Sequence, residues 1–241
     1  MILAIDAGNT RIKWGLHDGS GWKSLGAIST SDSSSLREAM RSVLPARKAV
    51  ASNVAGARVR ADIARCMDAG AEITFIQSES RQLGVENGYR DPTQLGTDRW
   101  AALIAAHHAG ERGHKLVVNA GTALTIDALA ADGRFMGGLI VPGPALMRHS
   151  LDRGTAGLRL TEGILQDFPG STPDAITSGA IQAAAGAVQR LAGLMAASGC
   201  PPGRIILSGG AAAEIAASLP FTTTLHENLV LDGLLLIARN S

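Results

Sequence analysis

The stretch ILAIDAGNTRIKW, residues 2–14, returns in altered form as LVVNAGTALTIDAL, residues 116–129. Each copy has an apolar run, then Asp or Asn, then Ala-Gly, a Thr, and a second run that alternates apolar with polar residues. A unit of this kind makes a strand, a tight turn and a second strand. Its recurrence across 241 residues predicts two lobes built on one plan. The polar, Gly-bearing segment HAGERGHK, residues 108–115, marks the seam, which puts one lobe at residues 1–113 and the other at 114–241.

The runs KLVV, GGLIV and RIILSGG read as buried strands. DRWAALIAAHHA and AIQAAAGAVQRLAGLMAAS have the length and spacing of helices. Aromatic residues make up 3% of the chain, and the abundant Ala, Leu and Gly suit helices lying close to a sheet. Alternation of the two patterns predicts the α/β class. STSDSSS, residues 29–35, reads as a loop entering a helix N-terminus.

Charge narrows the function classes. With 22 Lys and Arg against 21 Asp and Glu and no basic run, the chain lacks a stripe that would track nucleic-acid phosphates. MILAIDAGNTR meets an acid at Asp6 too early for a signal peptide, and no stretch has the roughly 18–20 apolar residues of a membrane span, so a cytoplasmic protein without membrane partners is expected. Cys66 and Cys200 lack metal or disulfide spacing. The histidines at 107, 108, 114, 149 and 226 show no ligand spacing either.

Two readings fit the turn after Asp6. In one it is a hairpin whose permissive backbone comes from Gly8 and Asn9. In the other, Asp6 helps hold a hydrated Mg²⁺ while turn amides, Thr10 and a basic side chain face phosphate oxygens. The second copy favours the latter, because Thr122 stands in the equivalent turn and a nucleotide could lie between the two. A third Gly-rich turn, ILSGGAAAEIA, is either an ordinary strand-to-helix turn or a place where Gly209 and Gly210 admit an adenosine. Neither GxxxxGK[ST] nor GxGxxG occurs.

LGTDRWAALIAAHH places Thr97 as an N-cap, with Asp98 and Arg99 in the first turn. Asp98 is either a carboxylate favoured by the helix dipole or part of a site. Gly96 would let a ligand approach, and Arg99 is a planar donor suited to a carboxylate.

DAGNTRIKWG, LGTDRW, NAGTALTID and GGLIVPG, in that order, resemble type III pantothenate kinase, a branch of the acetate and sugar kinase, Hsp70 and actin superfamily. The likeness runs from Met1 to the closing ENLVLDGLLLIAR. It implies duplicated ribonuclease-H-like, actin-like ATPase lobes with nucleotide in the cleft between them. It also implies a homodimer, and ATP-dependent phosphorylation of pantothenate to 4'-phosphopantothenate, the first step of coenzyme A synthesis. Carried onto this chain, ATP with Mg²⁺ would meet Asp6, Ala7, Gly8, Asn9, Thr10, Arg11, Ile12, Lys13 and Thr122, with Asp6 on the metal through water. Asp98 would be the catalytic base that orients the acceptor hydroxyl and takes its proton. Gly96, Thr97, Asp98, Arg99 and Tyr89, the single tyrosine, would line the pantothenate pocket, and Thr172 would reach it from the neighbouring subunit. Without the resemblance, Thr172 reads as a helix cap and Tyr89 as packing.

The chain departs from the family in two places. An acid is usual where Asn119 stands, and that acid accompanies a monovalent cation, so a K⁺ or NH₄⁺ site at Asn119 is in doubt. TAGLRLTE, around Leu158, differs from the usual Leu-Pro ending and is expected to alter only a loop. A non-enzymatic actin-like nucleotide switch, or another small-molecule kinase, are the alternatives. Asp98 and Arg99 discriminate against the switch, which needs no acceptor base and no carboxylate clamp.

Overall fold

The computed structural model describes residues 1–43, 46–68, 70–110, 112–155, 157–158 and 161–240. The chain divides into two compact units, residues 1–109 with 228–241, and residues 110–227.

In the first unit, β1 (Ile2–Ala7), β2 (Arg11–His17) and β3 (Trp22–Ser29) form an antiparallel meander. A 3₁₀ turn, Thr30–Ser35, leads into α1 (Leu36–Ala39), where a plain loop was expected. β4 (Lys48–Asn53) returns parallel to β1, α2 (Ala57–Cys66) crosses over, and β5 (Glu72–Phe75) adds parallel to β4. The strand order is β3-β2-β1-β4-β5. A small ribbon of β6 (Arg81–Gln82) and β7 (Val85–Glu86) precedes α3 (Thr97–His108).

Alternation along the strands decides which side chains meet. Leu3, Ile5 and Ala7 of β1, with Ile12, Trp14 and Leu16 of β2, share one sheet face and pack with Leu36, Met40, Val59 and Ile63. Asp6 and Lys13 therefore fall on the opposite face.

The second unit repeats the plan. β8 (Lys115–Ala120), β9 (Ala123–Leu129) and β10 (Phe135–Pro142) form the meander, followed by α4 (Pro144–Gly154) and α5 (Thr172–Ala197). β11 (Arg204–Ser208), α6 (Ala212–Ala217) and β12 (Thr223–Leu225) complete it, in the order β10-β9-β8-β11-β12. Two sheets with one strand order establish the duplicated α/β fold that the internal repeat predicts.

The division of residues differs from the expected boundary at 113/114. α7 (Leu229–Arg239) belongs with the first unit. Its buried Leu229, Leu231, Leu234, Leu235 and Ile237 form an apolar stripe that packs on α3 and β1. The two helices approach so closely that a Cβ at Gly233 would lie 1.9 Å from the Ala101 carbonyl oxygen. Trp22 Nε1 donates to Asp232 Oδ1 at 2.8 Å, and Lys48 Nζ to the Ala238 carbonyl at 2.9 Å. The seam segment includes Glu111, which lies outside the described residues.

Candidate active site

Asp6 is the penultimate residue of β1. In the sheet register it stands opposite Lys13 of β2 and Ser52 of β4, so these three side chains share a face and form one row. Asp6 is half-buried, and its Oδ1 is shielded from solvent with no hydrogen-bond partner among the described residues. Burial, and then the negative charge of Asp98, raise the Asp6 carboxyl to about 7, with Lys13 opposing the shift.

The loop after Asp6 is held from two sides. The Gly8 amide donates to the Arg11 carbonyl at 3.1 Å, and the Thr30 amide to the Thr10 carbonyl at 2.9 Å. Thr30 Oγ1 donates to the Gly8 carbonyl at 2.7 Å. The hairpin is real, but the expected reason for it needs correction. None of Gly8, Asn9 and Thr10 has a left-handed backbone, so the straps from Thr30, a residue with no motif of its own, shape the turn. Asn9, Thr10 and Arg11 are exposed at its tip, while Ala7 and Ile12 are buried on the core face.

α3 brings the second carboxylate. Its N-cap is Gly96 (φ −54°, ψ 135°), one position before the expected cap Thr97, which is the first helical residue. A Cβ at Gly96 would sit 2.6 Å from Asp98 Oδ1, so a larger residue there would displace that carboxylate. Thr97 Oγ1 is hydrogen-bonded to Ser52 Oγ at 2.8 Å. Asp98 Oδ1 accepts from the Arg99 amide at 2.8 Å. Burial raises the Asp98 carboxyl above the usual carboxylate range, against the Arg99 amide bond and the Arg99 charge.

Arg99 is 4% exposed. Its Nη1 donates to the Tyr89 hydroxyl at 2.9 Å, and the guanidinium stands 5.6 Å from the Tyr89 ring centroid. Asn87 prepares this contact, since its Oδ1 accepts from the Tyr89 amide at 3.1 Å. The first unit thus gathers Asp6, Lys13, Thr97, Asp98 and Arg99 with Tyr89. Two shielded carboxylates, both with proton affinity raised by burial and that of Asp6 raised further by the charge of Asp98, are suited to holding a cation or a transferable proton.

In the second unit Asn119 occupies the place of Asp6, opposite Thr125 of β9 and Ser208 of β11. The turn is one residue shorter, closed by the Gly121 amide donating to the Ala123 carbonyl at 3.1 Å, and Thr122 is exposed on it. Thr125 Oγ1 is shielded and has no hydrogen-bond partner among the described residues. Gly209 does need its freedom: φ is +99°, and a Cβ would lie 2.5 Å from the Ala120 carbonyl oxygen. Thr172 is exposed as the first residue of α5, and the cap is Ser171, whose Oγ accepts from the Asp174 amide at 3.3 Å. In TAGLRLTE, Ala156, Arg159 and Leu160 lie outside the described residues.

Ser52 and His17 escape a motif search. Ser52 ends an unremarkable apolar strand, and only the parallel register sets it beside Asp6. His17 Nδ1 accepts from the Gly19 amide at 2.8 Å and lies 3.2 Å from Arg239 Nη2, a contact that anchors α7. Cys66 and Cys200 are free thiols. Among the described residues no helix is long and apolar enough to cross a membrane.

Comparison with known proteins bears on this arrangement. A solved glucokinase from an Antarctic psychrotroph superposes with a TM-score of 0.52 at 12% identity, covering 100% of this chain and 99% of that one. This likeness is one of fold. A type III pantothenate kinase from Nitrosospira multiformis is 44% identical over 242 residues, with 100% of this chain and 92% of the relative covered. Another from Aromatoleum aromaticum is 45% identical over 240 residues, covering 99% and 98%. The family model for type III pantothenate kinase matches residues 2–193. On this family match and these relatives of nearly full length, this chain belongs to the type III pantothenate kinase family.

Proposed function

We propose that this protein transfers the γ-phosphoryl group of ATP to the primary hydroxyl of pantothenate, giving 4'-phosphopantothenate and ADP, the first step of coenzyme A synthesis. The observation that carries the chemistry is the pair of shielded carboxylates, Asp6 on β1 and Asp98 on α3, each with raised proton affinity. Membership of the family implies ATP and a divalent metal.

The unpartnered Asp6 Oδ1 fits a hard cation, held directly or through a water, and Mg²⁺ is the natural choice. A bound divalent cation neutralises charge that develops on the transferred phosphoryl group. The exposed Asn9-Thr10-Arg11 tip offers backbone N–H groups and a guanidinium to phosphate oxygens, with Lys13 in the Asp6 row adding positive charge. Thr122 is assigned to the nucleotide from the likeness of its turn to the first. Asp98 orients the acceptor hydroxyl and takes its proton. A carboxyl raised by burial is a stronger base than an exposed one, and its acid limb moves toward neutral pH.

Arg99 reads the pantothenate carboxylate, with Tyr89 holding the guanidinium until substrate arrives, and Gly96 and Thr97 complete the pocket wall. Thr172, exposed at the start of α5, serves the pocket of a second copy in a homodimer. Asn119 replaces a charged ligand with a neutral carbonyl oxygen, so K⁺ or NH₄⁺ is bound weakly or not at all. The cytoplasm, where ATP is plentiful, is the proposed location. The deciding experiment is ADP release coupled to an indicator reaction, with and without pantothenate. Pantothenate-dependent release is expected, and ATP consumption indifferent to pantothenate would overturn the assignment.

A further inference from the structure

Ser52 is a polar side chain in an apolar place. It is fully buried at the end of β4, following Ala49, Val50 and Ala51, which are all buried. A hydroxyl at such a position is costly unless bonded, and alanine would fill the space. Its partner is Thr97 Oγ1 at 2.8 Å, 45 residues away in the chain. That bond joins the sheet row of Asp6, Lys13 and Ser52 to the turn of α3 that carries Asp98 and Arg99.

The helix start has other anchors too. Gly96 supplies no side-chain cap, and a Cβ there would have to displace the Asp98 carboxylate, 2.6 Å away. Ser78 Oγ fixes the preceding residue by donating to the Leu95 carbonyl at 2.7 Å. Arg99 is tied to Tyr89, which belongs to a loop and not to the sheet. Thr97 bonds the first turn of α3 to the strand adjoining β1. The matching serine of the second unit, Ser208, has a different partner, the Glu227 carbonyl at 3.4 Å, so the serine-to-helix bond is not a byproduct of the repeated fold.

We propose that Ser52 is a positioning residue: through Thr97 it sets the placement of Asp98 relative to Asp6, and so the approach of the acceptor hydroxyl to the phosphoryl end of ATP. This rests on the kinase reading above. Ser52 touches no reacting atom and acts only through Thr97.

The test is a double-mutant cycle on the intact chain with Ser52→Ala and Thr97→Val, each removing one hydroxyl. Loss of a single hydrogen bond, near 1 kcal/mol, corresponds to a drop of about 5-fold. That drop is expected in kcat for Ser52→Ala, with KM for ATP unchanged within about twofold. In the Thr97→Val background, Ser52→Ala should cause no further loss. Wild-type turnover in Ser52→Ala, or an equal loss in both backgrounds, overturns the proposal. Amide exchange gives a second readout that needs no substrate. The Trp100 amide, which donates to the Gly96 carbonyl at 2.9 Å, should exchange faster in either single variant. Unchanged Trp100 exchange in Thr97→Val overturns the proposal even if Ser52→Ala fails to fold. A wild-type chain that releases no pantothenate-dependent ADP overturns the kinase reading, while Trp100 exchange still decides the Ser52–Thr97 coupling.

Discussion

The two sheets share one strand order, yet the row after the first strand differs in each. In the first unit it reads Lys13–Asp6–Ser52, in the second Thr125–Asn119–Ser208. The first carries a charge on either side of the strand pair and faces a second carboxylate on α3. The second is neutral throughout. The first turn is four residues long and strapped by Thr30, and the second is a residue shorter. One fold thus supports both a charged row and an uncharged one. The frame is set by backbone pairing, and the chemistry by single side chains at fixed register positions.

The largest effect should come from removing the carboxylate on α3. Asp98→Asn is expected to keep the fold and nucleotide binding but to lower turnover by about 100- to 10,000-fold, the usual scale for a general base. Steady-state kinetics on the folded variant checks this. Turnover near that of wild type would reduce Asp98 to a residue favoured by the helix dipole.

Arg99→Lys should weaken pantothenate by on the order of 10- to 100-fold while leaving KM for ATP nearly unchanged, because lysine has no planar fork for a carboxylate. Pantothenol, with a hydroxyl in place of the acid, is the companion substrate. Its equal use by the wild-type enzyme would show that Arg99 reads something else.

A third variant makes the second row resemble the first. Asn119→Asp adds a negative charge to a neutral row, and attraction between unit charges about 4 Å apart is roughly 4 kcal/mol at an effective dielectric of about 20. The wild type should show little need for K⁺, or saturate only at high concentration, and the variant should become several-fold more K⁺-dependent. Activity against KCl at fixed ionic strength, with choline chloride as balance, measures it. A steep wild-type requirement that Asn119→Asp leaves unchanged would place the ion elsewhere.

The smallest effect is on stability. The Asp6 carboxyl lies near 7 in the folded chain against an ordinary 3.8, so the folded state holds this proton more tightly than the unfolded one. Burying the charge is therefore a full penalty above about pH 7, and the penalty fades as pH falls toward 4. Asp6→Asn, in EDTA, should melt higher than wild type at pH 8, with the gain gone near pH 4. About 1 kcal/mol moves Tm by roughly 2–4 °C in a chain of this size. A gain that does not change with pH would refute the shielded-charge account.

Much of this was legible beforehand. The strand–turn–strand repeat, the helices at Thr97–His108 and Thr172–Ala197, and the grouping of Asp98 and Arg99 in one turn all rest on residues near one another in the chain. Both cap assignments missed by one position. The cap before Thr97 is Gly96, which has no side chain to accept a bond. At Thr172 the neighbouring Ser171 reaches the Asp174 amide instead.

By itself the sequence determined periodicity, and periodicity determines which residues are buried and which face they share. It could not say against which partner they are buried, because apolar burial is non-directional. The stripe on α7 announces a helix packed on something, and only the folded chain directs it to α3 and β1 rather than to the sheet that precedes it. The same holds for the site. Asp6 and Asp98 lie 92 residues apart, and Ser52 and Thr97 45. The fields and hydrogen bonds that join them act over a few ångströms of space, a distance that strand order and register create and that spacing along the chain does not encode.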